Sequence, residues 1–415
     1  MKLSTQILII GAGPGGVATA LQLAKQNISC TVVDKAVFPR DKICGDALSG
    51  KVVEVLKKIE PDLINELSLS PMQVGSWGVS FVAPNEKILR IPFKQQFNKL
   101  EEKPPGYISK RFDFDNFLFN ALKKYADKIQ VLENTDLVKF EKTVSGYKCF
   151  SKDEQTIIDA RFIVAADGAQ SRFARFTNDM KIEPKHYCAG IRAYYKNIEG
   201  MDTDNFIELH FIKDLLPGYF WIFPLPNGEA NIGLGIRSDK ISRQKLNLKN
   251  LLQEIITNHP VISKRFENAI LIDEVKGFGL PLGSKKRNIS GENYLLTGDA
   301  ASLIDPFTGE GIGNAMMSGF FAAQHIEKCI AQNNFSAIFN KQYDAMVYKR
   351  LWSELRLSRT MQQLVTFPWL FNFVVNKAVN NTTLRETISA MFEDLDLRDR
   401  LRKPTFYLNL LFSKS

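Results

Sequence analysis

A cluster of glycines near the N-terminus has the spacing of a phosphate-binding turn. It follows a short apolar run and reads Gly11-Ala12-Gly13-Pro14-Gly15-Gly16. In this GxGxxG pattern the first glycine permits a tight turn, the second lets backbone approach a pyrophosphate, and the last lets the next helix pack closely on its strand. The N-terminus of that helix offers free N–H groups and a partial positive charge. All six residues are therefore candidate dinucleotide contacts.

The segments on either side of the cluster supply the elements that the pattern requires. Residues 6–10 are continuously apolar, residues 17–25 carry apolar side chains at helical spacing, and residues 29–34 are again typical of a strand. Together they predict a strand, helix, strand unit with parallel strands. Asp34 ends the second strand and is expected to accept hydrogen bonds from a ribose hydroxyl; Lys35 is grouped with it as a cofactor contact. A glycine-rich turn in another α/β fold is the alternative interpretation.

Three later segments identify the dinucleotide as FAD through a resemblance. They are Arg111-x-x-Phe114-Asp115-x-x-Leu118, Val164-Ala165-Ala166-Asp167-Gly168-Ala169-x-Ser171 and Leu296-Thr297-Gly298-Asp299-Ala300-Ala301. In this order they resemble the FAD-binding motifs of the flavoprotein group that includes p-hydroxybenzoate hydroxylase. The resemblance implies that Arg111 approaches the pyrophosphate, that Asp167-Gly168 brackets the dinucleotide, and that Gly298-Asp299 binds the ribityl or pyrophosphate region. Singly, the dipeptides could be ordinary turns and Arg111 a solvated charge at a helix start.

Two further segments resemble motifs of the geranylgeranyl reductase family within that group. Residues 41–50, DKICGDALSG, match its KxCG motif, and residues 217–224, PGYFWIFP, match its YxWxFP motif. Residues 305–313, DPFTGEGIG, are similar to the loop that contacts isoalloxazine in that family. The resemblance covers roughly residues 1–330 and implies further cofactor contacts at Cys44, Gly45, Asp46, Pro306, Gly309, Gly311 and Ile312.

Physical chemistry gives these segments a consistent meaning. The helix expected over residues 309–332 would turn its N-terminus toward the flavin, where its dipole stabilises negative charge on the reduced ring. Tyr219, Trp221 and Phe223 alternate along a strand and project from one face, where they could line an apolar substrate pocket. The alternative is that these three side chains simply fill the core between domains.

Cys44 is the candidate catalytic residue. By the resemblance, this cysteine lies near flavin and substrate and tunes or assists reduction. The alternative is a small buried hydrophobic residue without a chemical role.

The order of the patterns predicts an α/β protein, α+β overall, in three parts. A Rossmann-like FAD-binding domain is expected over residues 1–73, 106–182 and 275–332. An inserted antiparallel β-sheet domain that binds substrate is expected over 74–105 and 183–274, where apolar residues alternate at period two. A C-terminal helical region is expected over 333–415.

Composition narrows the class of protein. The net charge of +9 over 415 residues is spread along the chain, which argues against nucleic-acid binding. The five cysteines and four histidines show no metal-ligand or disulfide spacing, so we expect no metal and a reducing, cytoplasmic setting. The uncharged stretch 360–376 is too short and too polar to span a membrane. The basic, apolar tail at 397–412 is a candidate contact with the inner face of a membrane.

The leading hypothesis is an oxidoreductase in which reduced FAD delivers hydride to a carbon–carbon double bond of an isoprenoid lipid, with NAD(P)H or ferredoxin as the external reductant. The alternative is a flavin monooxygenase, either an aromatic hydroxylase or a halogenase. The absence of lysine between Lys58 and Lys87 argues against the halogenase. A non-catalytic electron-transfer flavoprotein would need clustered cysteines for iron–sulfur centres, which the sequence lacks.

Overall fold

The computed structural model describes residues 1–94, 96–177, 181–382 and 385–386. Its strands are β1 Lys2–Ile10, β2 Cys30–Val33, β3 Ala47–Leu48, β4 Gln73–Ser76, β5 Gly78–Val82, β6 Ile88–Pro92, β7 Gly106–Ser109, β8 Ile129–Leu132, β9 Leu137–Lys142, β10 Tyr147–Ser151, β11 Ile157–Ala165, β12 Tyr187–Lys196, β13 Ile207–His210, β14 Tyr219–Pro224, β15 Glu229–Arg237, β16 Ile270–Leu271, β17 Lys276–Pro281, β18 Ser290–Gly291 and β19 Tyr294–Leu296. Its α-helices are α1 Pro14–Lys25, α2 Gly50–Ile59, α3 Pro61–Leu69, α4 Arg111–Leu122, α5 Arg172–Phe176, α6 Ser238–Gln244, α7 Leu248–Asn258, α8 Ile262–Arg265, α9 Ile312–Ala331, α10 Ala337–Leu364 and α11 Pro368–Asn380.

The first sheet has the strand order β18-β19-β11-β1-β2-β8, and β9 and β10 extend it from β11. The strands β19, β11, β1, β2 and β8 run parallel to one another. Their centre is buried and mostly apolar, since Ile7 to Ile10 and all of β2 are buried, as expected for parallel strands covered on both faces. The predicted Rossmann-like α/β fold is confirmed. The first strand begins four residues earlier than predicted, since Lys2 to Thr5 also pair with β11.

The second sheet has the order β16-β12-β15-β14-β13-β5-β6, with β17 paired beside β16 on β12. All of its pairs are antiparallel except β13 with β5. Side chains alternate between its faces, so Phe220 and Ile222 pack under α7 and α8, whereas Trp221 and Phe223 face the opposite side. The helices α6 to α8 lie within the segment that the sequence suggested to be mainly sheet.

The expected domain boundary at residue 275 needs correction. Residues 276–281 stand within the predicted FAD-binding domain, but as β17 they pair with β12 from Tyr187 to Arg192 and so belong to the second sheet. A small third sheet, β3-β7-β4, lies where the two expected domains alternate along the chain. The rest of the domain division stays a prediction.

The C-terminal helices extend the two cores. Tyr343 and Leu351 of α10 are buried in the core of the first sheet. Phe371 and Val375 of α11 are buried in the core on the aromatic side of the second sheet. No helix in the described ranges is long and apolar enough to cross a bilayer. The predicted membrane-contacting tail at 397–412 lies outside the described residues.

Candidate active site

The glycine turn after β1 is closed by contacts that only glycine permits. Gly11 has φ +102°, and a Cβ built there would lie 2.5 Å from the carbonyl oxygen of Ala166. A Cβ on Gly16 would lie 1.9 Å from the carbonyl oxygen of Gly11. Gly13 is the N-cap of α1, and Pro14 is its first residue. The turn thus brings β1, α1 and the end of β11 into contact, as the fingerprint predicts.

Gly13 and Gly168 border open space, unlike their neighbours. A Cβ on Gly13 would meet only Arg40 Nη2, at 3.7 Å, and one on Gly168 would meet nothing within 4 Å. Gly168 also has φ +82°, which favours glycine. We call this space, bounded by Gly13 and Gly168, the nucleotide cradle. Asp167 Oδ1 is buried beside it without a hydrogen-bond partner among the described residues. The cradle and this oxygen fit a dinucleotide that brings its own polar groups.

Asp34 is held against the glycine turn at the end of β2. Its Oδ2 accepts a hydrogen bond from the Ala12 amide at 2.8 Å, and its Oδ1 accepts one from the Ala36 amide at 2.9 Å. A carboxylate oxygen can accept a second hydrogen bond, so a ribose contact is compatible with this arrangement. Lys35, the other predicted cofactor contact in this segment, directly follows Asp34 and is exposed.

Arg111 is not a solvated charge. It begins α4, is 2% exposed, and donates from Nε and Nη2 to the two carboxylate oxygens of Asp115, each at 2.6 Å. Burial alone would raise the pKa of Asp115, but the Arg111 and Arg40 guanidiniums lower it. Arg40 Nη1 lies 2.5 Å from Asp115 Oδ2, so Arg40 connects this pair to Gly13. Sequence reasoning missed Arg40, which stands in no motif.

The segment after β19 closes the site against α1. Gly298 has φ +57°, and the Asp299 carboxylate lies 3.2 Å from Lys42 Nζ. A Cβ on Gly15 would lie 3.2 Å from Thr297 Oγ1. The predicted cofactor residues near positions 11–16, 34, 167–168 and 298–299 are therefore neighbours in space.

The loop over residues 305–311 leads into α9. Asp305 Oδ1 accepts hydrogen bonds from the amides of residues 307 and 308, and Pro306 O accepts one from Gln362. Glu310 Oε1 accepts a hydrogen bond from the Gly313 amide at 2.7 Å, in the first turn of α9. The amides of Gly311 and Ile312 have no acceptor among the described residues. Positive charge at this helix start is therefore available to a ligand.

The aromatic face of β14, formed by Tyr219, Trp221 and Phe223, meets the KxCG segment. A Cβ on Gly45 would lie 3.1 Å from the Phe223 ring, and Tyr219 OH donates a hydrogen bond to the carbonyl oxygen of residue 308. Trp221 and Phe223 are buried in one hydrophobic cluster with Phe81, Phe211 and Phe307. The three side chains share one face of the sheet, as predicted. This position is compatible both with a substrate pocket and with simple core packing, so the pocket role stays a prediction.

Cys44 lies between these parts. The side chain is half-buried, and its thiol contacts the Arg111 guanidinium. Its carbonyl oxygen accepts a hydrogen bond from Asn231 Nδ2 at 2.8 Å. Cys44 is thus adjacent to the expected pyrophosphate-side arginine and to the second sheet, while its catalytic role stays a prediction.

Asp46 has surroundings that the sequence did not reveal. It is fully buried, and its Oδ2 accepts hydrogen bonds from Tyr194 OH and Asn231 Nδ2, both at 2.7 Å. Asn231 Oδ1 accepts a hydrogen bond from the Trp221 indole at 2.9 Å. One sequence signal could have revealed this network: Asn231 is a polar residue inside the buried strand β15, and a buried amide needs hydrogen-bond partners.

The chain matches the model of a protein family described as the FAD binding domain over residues 4–334. A digeranylgeranylglycerophospholipid reductase from Thermoplasma acidophilum is 30% identical over 347 residues, which are 83% of this chain and 83% of that protein. Another from Methanococcus vannielii is 28% identical over 374 residues, 88% of this chain and 88% of that protein.

Solved structures share the fold. A geranylgeranyl bacteriochlorophyll reductase-like protein from Thermoplasma acidophilum has a TM-score of 0.82 at 22% identity, covering 99% of this chain and 98% of that one. A flavin-dependent brominase has a TM-score of 0.77 at 17% identity, covering 98% of this chain and 99% of that one. At these identities the likeness concerns the fold alone.

Proposed function

This chain belongs to the FAD-binding-domain family and to the family of the digeranylgeranylglycerophospholipid reductases, and from that premise we propose that it reduces carbon–carbon double bonds in the isoprenoid chains of a lipid. The observation that carries the proposal is the meeting of two surfaces at residues 44–46. On one side Cys44 contacts Arg111, which leads through Asp115 and Arg40 to the nucleotide cradle. On the other side Gly45 packs on the aromatic face.

Several groups of this chain would hold FAD. The glycine turn and the start of α1 would bind the pyrophosphate through backbone N–H groups, with Arg111 and Arg40 supplying positive charge nearby. Asp34 would accept hydrogen bonds from the ribose. When bound and reduced, FAD supplies a hydride. The free amides of Gly311 and Ile312 would stabilise negative charge on a ligand bound at the start of α9.

An isolated alkene is a poor hydride acceptor, so the site must hold it close and exclude water. The aromatic face suits this task because Trp221 and Phe223 are each at most 6% exposed and lie in an apolar cluster. Apolar, aromatic walls favour an isoprenoid chain over a small polar substrate. The same proposal includes NAD(P)H or ferredoxin as the electron donor and peripheral contact with a membrane. It leaves the lipid head group open.

The test is turnover without oxygen. Photoreduced holoenzyme under argon is mixed with digeranylgeranylglycerophospholipid in detergent micelles, while flavin absorbance reports reoxidation and mass spectrometry reports the product. We expect reoxidation together with a mass gain of two hydrogens per reduced double bond. The fully saturated lipid is the matched control and should leave the flavin reduced. Product that forms only when oxygen is admitted would instead support the monooxygenase alternative.

A further inference from the structure

The carboxyl group of Asp46 is buried, and none of the described residues forms an ion pair with it. Asp46 lies between Gly45 and β3, is 0% exposed and has φ +71°, a conformation that a non-glycine residue adopts at some cost in energy. The nearest positive charges are engaged elsewhere. The Arg192 guanidinium donates to Asp41 at 2.6 Å and to Asp273 at 3.1 Å, and Arg111 is paired with Asp115.

The hydrogen bonds of Asp46 leave one oxygen free for a proton. Tyr194 OH and Asn231 Nδ2 both donate to Oδ2, and the Asn231 amide is fixed in this orientation because its oxygen accepts from the Trp221 indole. Oδ1 is buried and has no partner among the described residues. With both donors committed to Oδ2, a proton on this carboxyl group resides on Oδ1, where no described protein group accepts it.

Burial favours that proton at mildly acidic pH. Burial raises the pKa of Asp46 to about 6, against the opposing effects of the two hydrogen bonds and of the Arg192 and Arg111 charges. The other charged or titratable groups close by are Tyr194 on β12 and Asp41, which is paired with Arg192. The Arg192 guanidinium lies 4.0 Å and Lys110 Nζ lies 4.9 Å from the centre of the Tyr194 ring.

This acid adjoins the aromatic face. Asn231 links Asp46 to the Trp221 indole and to the backbone of Cys44, and Gly45 packs on the Phe223 ring. The unpartnered Oδ1 therefore belongs to the same small region in which the aromatic face meets residues 44–46. A ligand on the aromatic face would keep water away from this donor during the reaction.

We propose that Asp46 is the acid that protonates the substrate, an inference that rests on the proposed alkene reduction. One alkene carbon accepts a hydride with its two electrons, and the π bond supplies the electron pair for a new C–H bond at the neighbouring carbon. Asp46 Oδ1 gives its proton to that neighbouring carbon and is left as a carboxylate. Water returns a proton to Oδ1 between turnovers, which balances the addition of two hydrogens.

The decisive variant is Asp46→Asn. Its amide oxygen can replace Oδ2 and accept both hydrogen bonds, while its NH2 group replaces Oδ1 and carries no transferable proton. Asp113→Asn is the matched control, because Asp113 is a half-buried carboxyl whose pKa is also raised by burial but which lies outside the site. In the anaerobic single-turnover assay we expect Asp46→Asn to slow flavin reoxidation by about 100-fold or more, the usual range for loss of a general acid. Flavin content should be unchanged, and Asp113→Asn should react like the wild type.

The pH profile separates proton donation from a structural role. The wild-type single-turnover rate should fall as pH rises through about 6, as Asp46 ionises. Tyr194→Phe removes a hydrogen bond that stabilises the carboxylate, so the fall in rate, which we call the alkaline limb of the profile, should move to higher pH. Infrared difference spectra of the substrate-free holoenzyme should show a carboxylic C=O band that disappears over the same pH range and is missing in Asp46→Asn.

Two results would overturn the inference while leaving the reductase intact: a wild-type rate in Asp46→Asn, or a limb that Tyr194→Phe does not move. If Asp46→Asn fails to retain flavin, the Tyr194→Phe profile and the wild-type infrared titration still decide. A wild-type enzyme that reduces no alkene under argon refutes the proposed function, and the donor role with it. The infrared titration then reports separately whether the carboxyl is protonated.

Discussion

Gly13 and Gly16 stand three residues apart and serve different purposes. Gly16 is required by the protein itself, since a Cβ there would collide with the Gly11 carbonyl oxygen. Gly13 is required by no contact within the protein, because its nearest neighbour is the movable end of Arg40 at 3.7 Å. A glycine that the fold does not need is best explained by the ligand that approaches it.

Gly13→Val therefore tests the nucleotide cradle without testing the fold. We expect FAD binding to weaken by at least about 100-fold, equivalent to about 2.7 kcal/mol, because the side chain would occupy the open space. The free energy of unfolding of the flavin-free protein should change by no more than about 1 kcal/mol, since the φ of −75° at this N-cap suits any residue. Equilibrium dialysis with FAD and urea unfolding measure the two quantities.

The control is Gly277→Ala on β17, where the added Cβ meets Ile191 at an ordinary 3.6 Å. It should bind FAD normally. Full flavin content in Gly13→Val would contradict the assignment of this turn to the pyrophosphate.

Individual residues were predictable where a local pattern constrains them. The glycine spacing and Asp34 lie within one strand, helix, strand unit, so short-range sequence reveals them. Arg40, Tyr194 and Asn231 reach the site only through tertiary packing, and each stands in a segment whose local pattern says nothing about its partner. Asn231 and Asp46, for example, form a hydrogen bond although more than a hundred residues of chain separate them.

Among the elements, α1 and α9 form the closest helix contact of the site. Gly319 makes this possible, since a Cβ there would lie 2.2 Å from the Gly15 carbonyl oxygen, and Thr19 Oγ1 donates to the Gly319 carbonyl oxygen at 3.1 Å. The helix was predicted from residue 309 but begins at Ile312, because Gly309 has φ +73° and Asp305 holds the preceding turn. Hydrophobic spacing indicated the helix but carried no signal for this loop.

Gly319→Val should push α9 away from α1. We expect a loss of about 1–3 kcal/mol in the free energy of unfolding, the usual cost of overpacking a close contact, together with weaker FAD binding because the starts of both helices border the site. Ala331→Val adds similar bulk at the exposed end of α9 and should change neither quantity appreciably. Urea unfolding and FAD titration of both variants provide the check, and equal behaviour of the two would argue against a tight α1 and α9 contact.

At the scale of the whole molecule, α10 and α11 join the two cores. The composition of this segment predicts helices, but its apolar residues stand at mixed spacing and do not predict which faces are buried. That mixed spacing has a physical reason: α10 packs on α9 and on β18 and β19, and so buries more than one face. The second sheet likewise recruits β17, whose Gly-rich sequence gives little strand signal of its own.

Leu351→Ala tests whether α10 belongs to the core of the first sheet. Leu351 is fully buried, so its truncation should cost about 2–5 kcal/mol in the free energy of unfolding. Ile338→Ala on the same helix is the control, since Ile338 is 84% exposed and should change stability by about 0.5 kcal/mol or less. If urea unfolding gives the same small effect for both, α10 is an appendage.

The wide separation of contacting segments along the chain has a consequence for biosynthesis. Gly11 closes against Ala166, and Gly15 against Ala315 and Gly319, so α1 lacks its partner helix until the ribosome has translated residue 319. Until then the nascent N-terminal unit carries an uncovered apolar flank, a condition under which chaperones commonly engage growing polypeptides. We therefore expect flavin binding to follow the translation of α9, because the site lacks one of its helices until then.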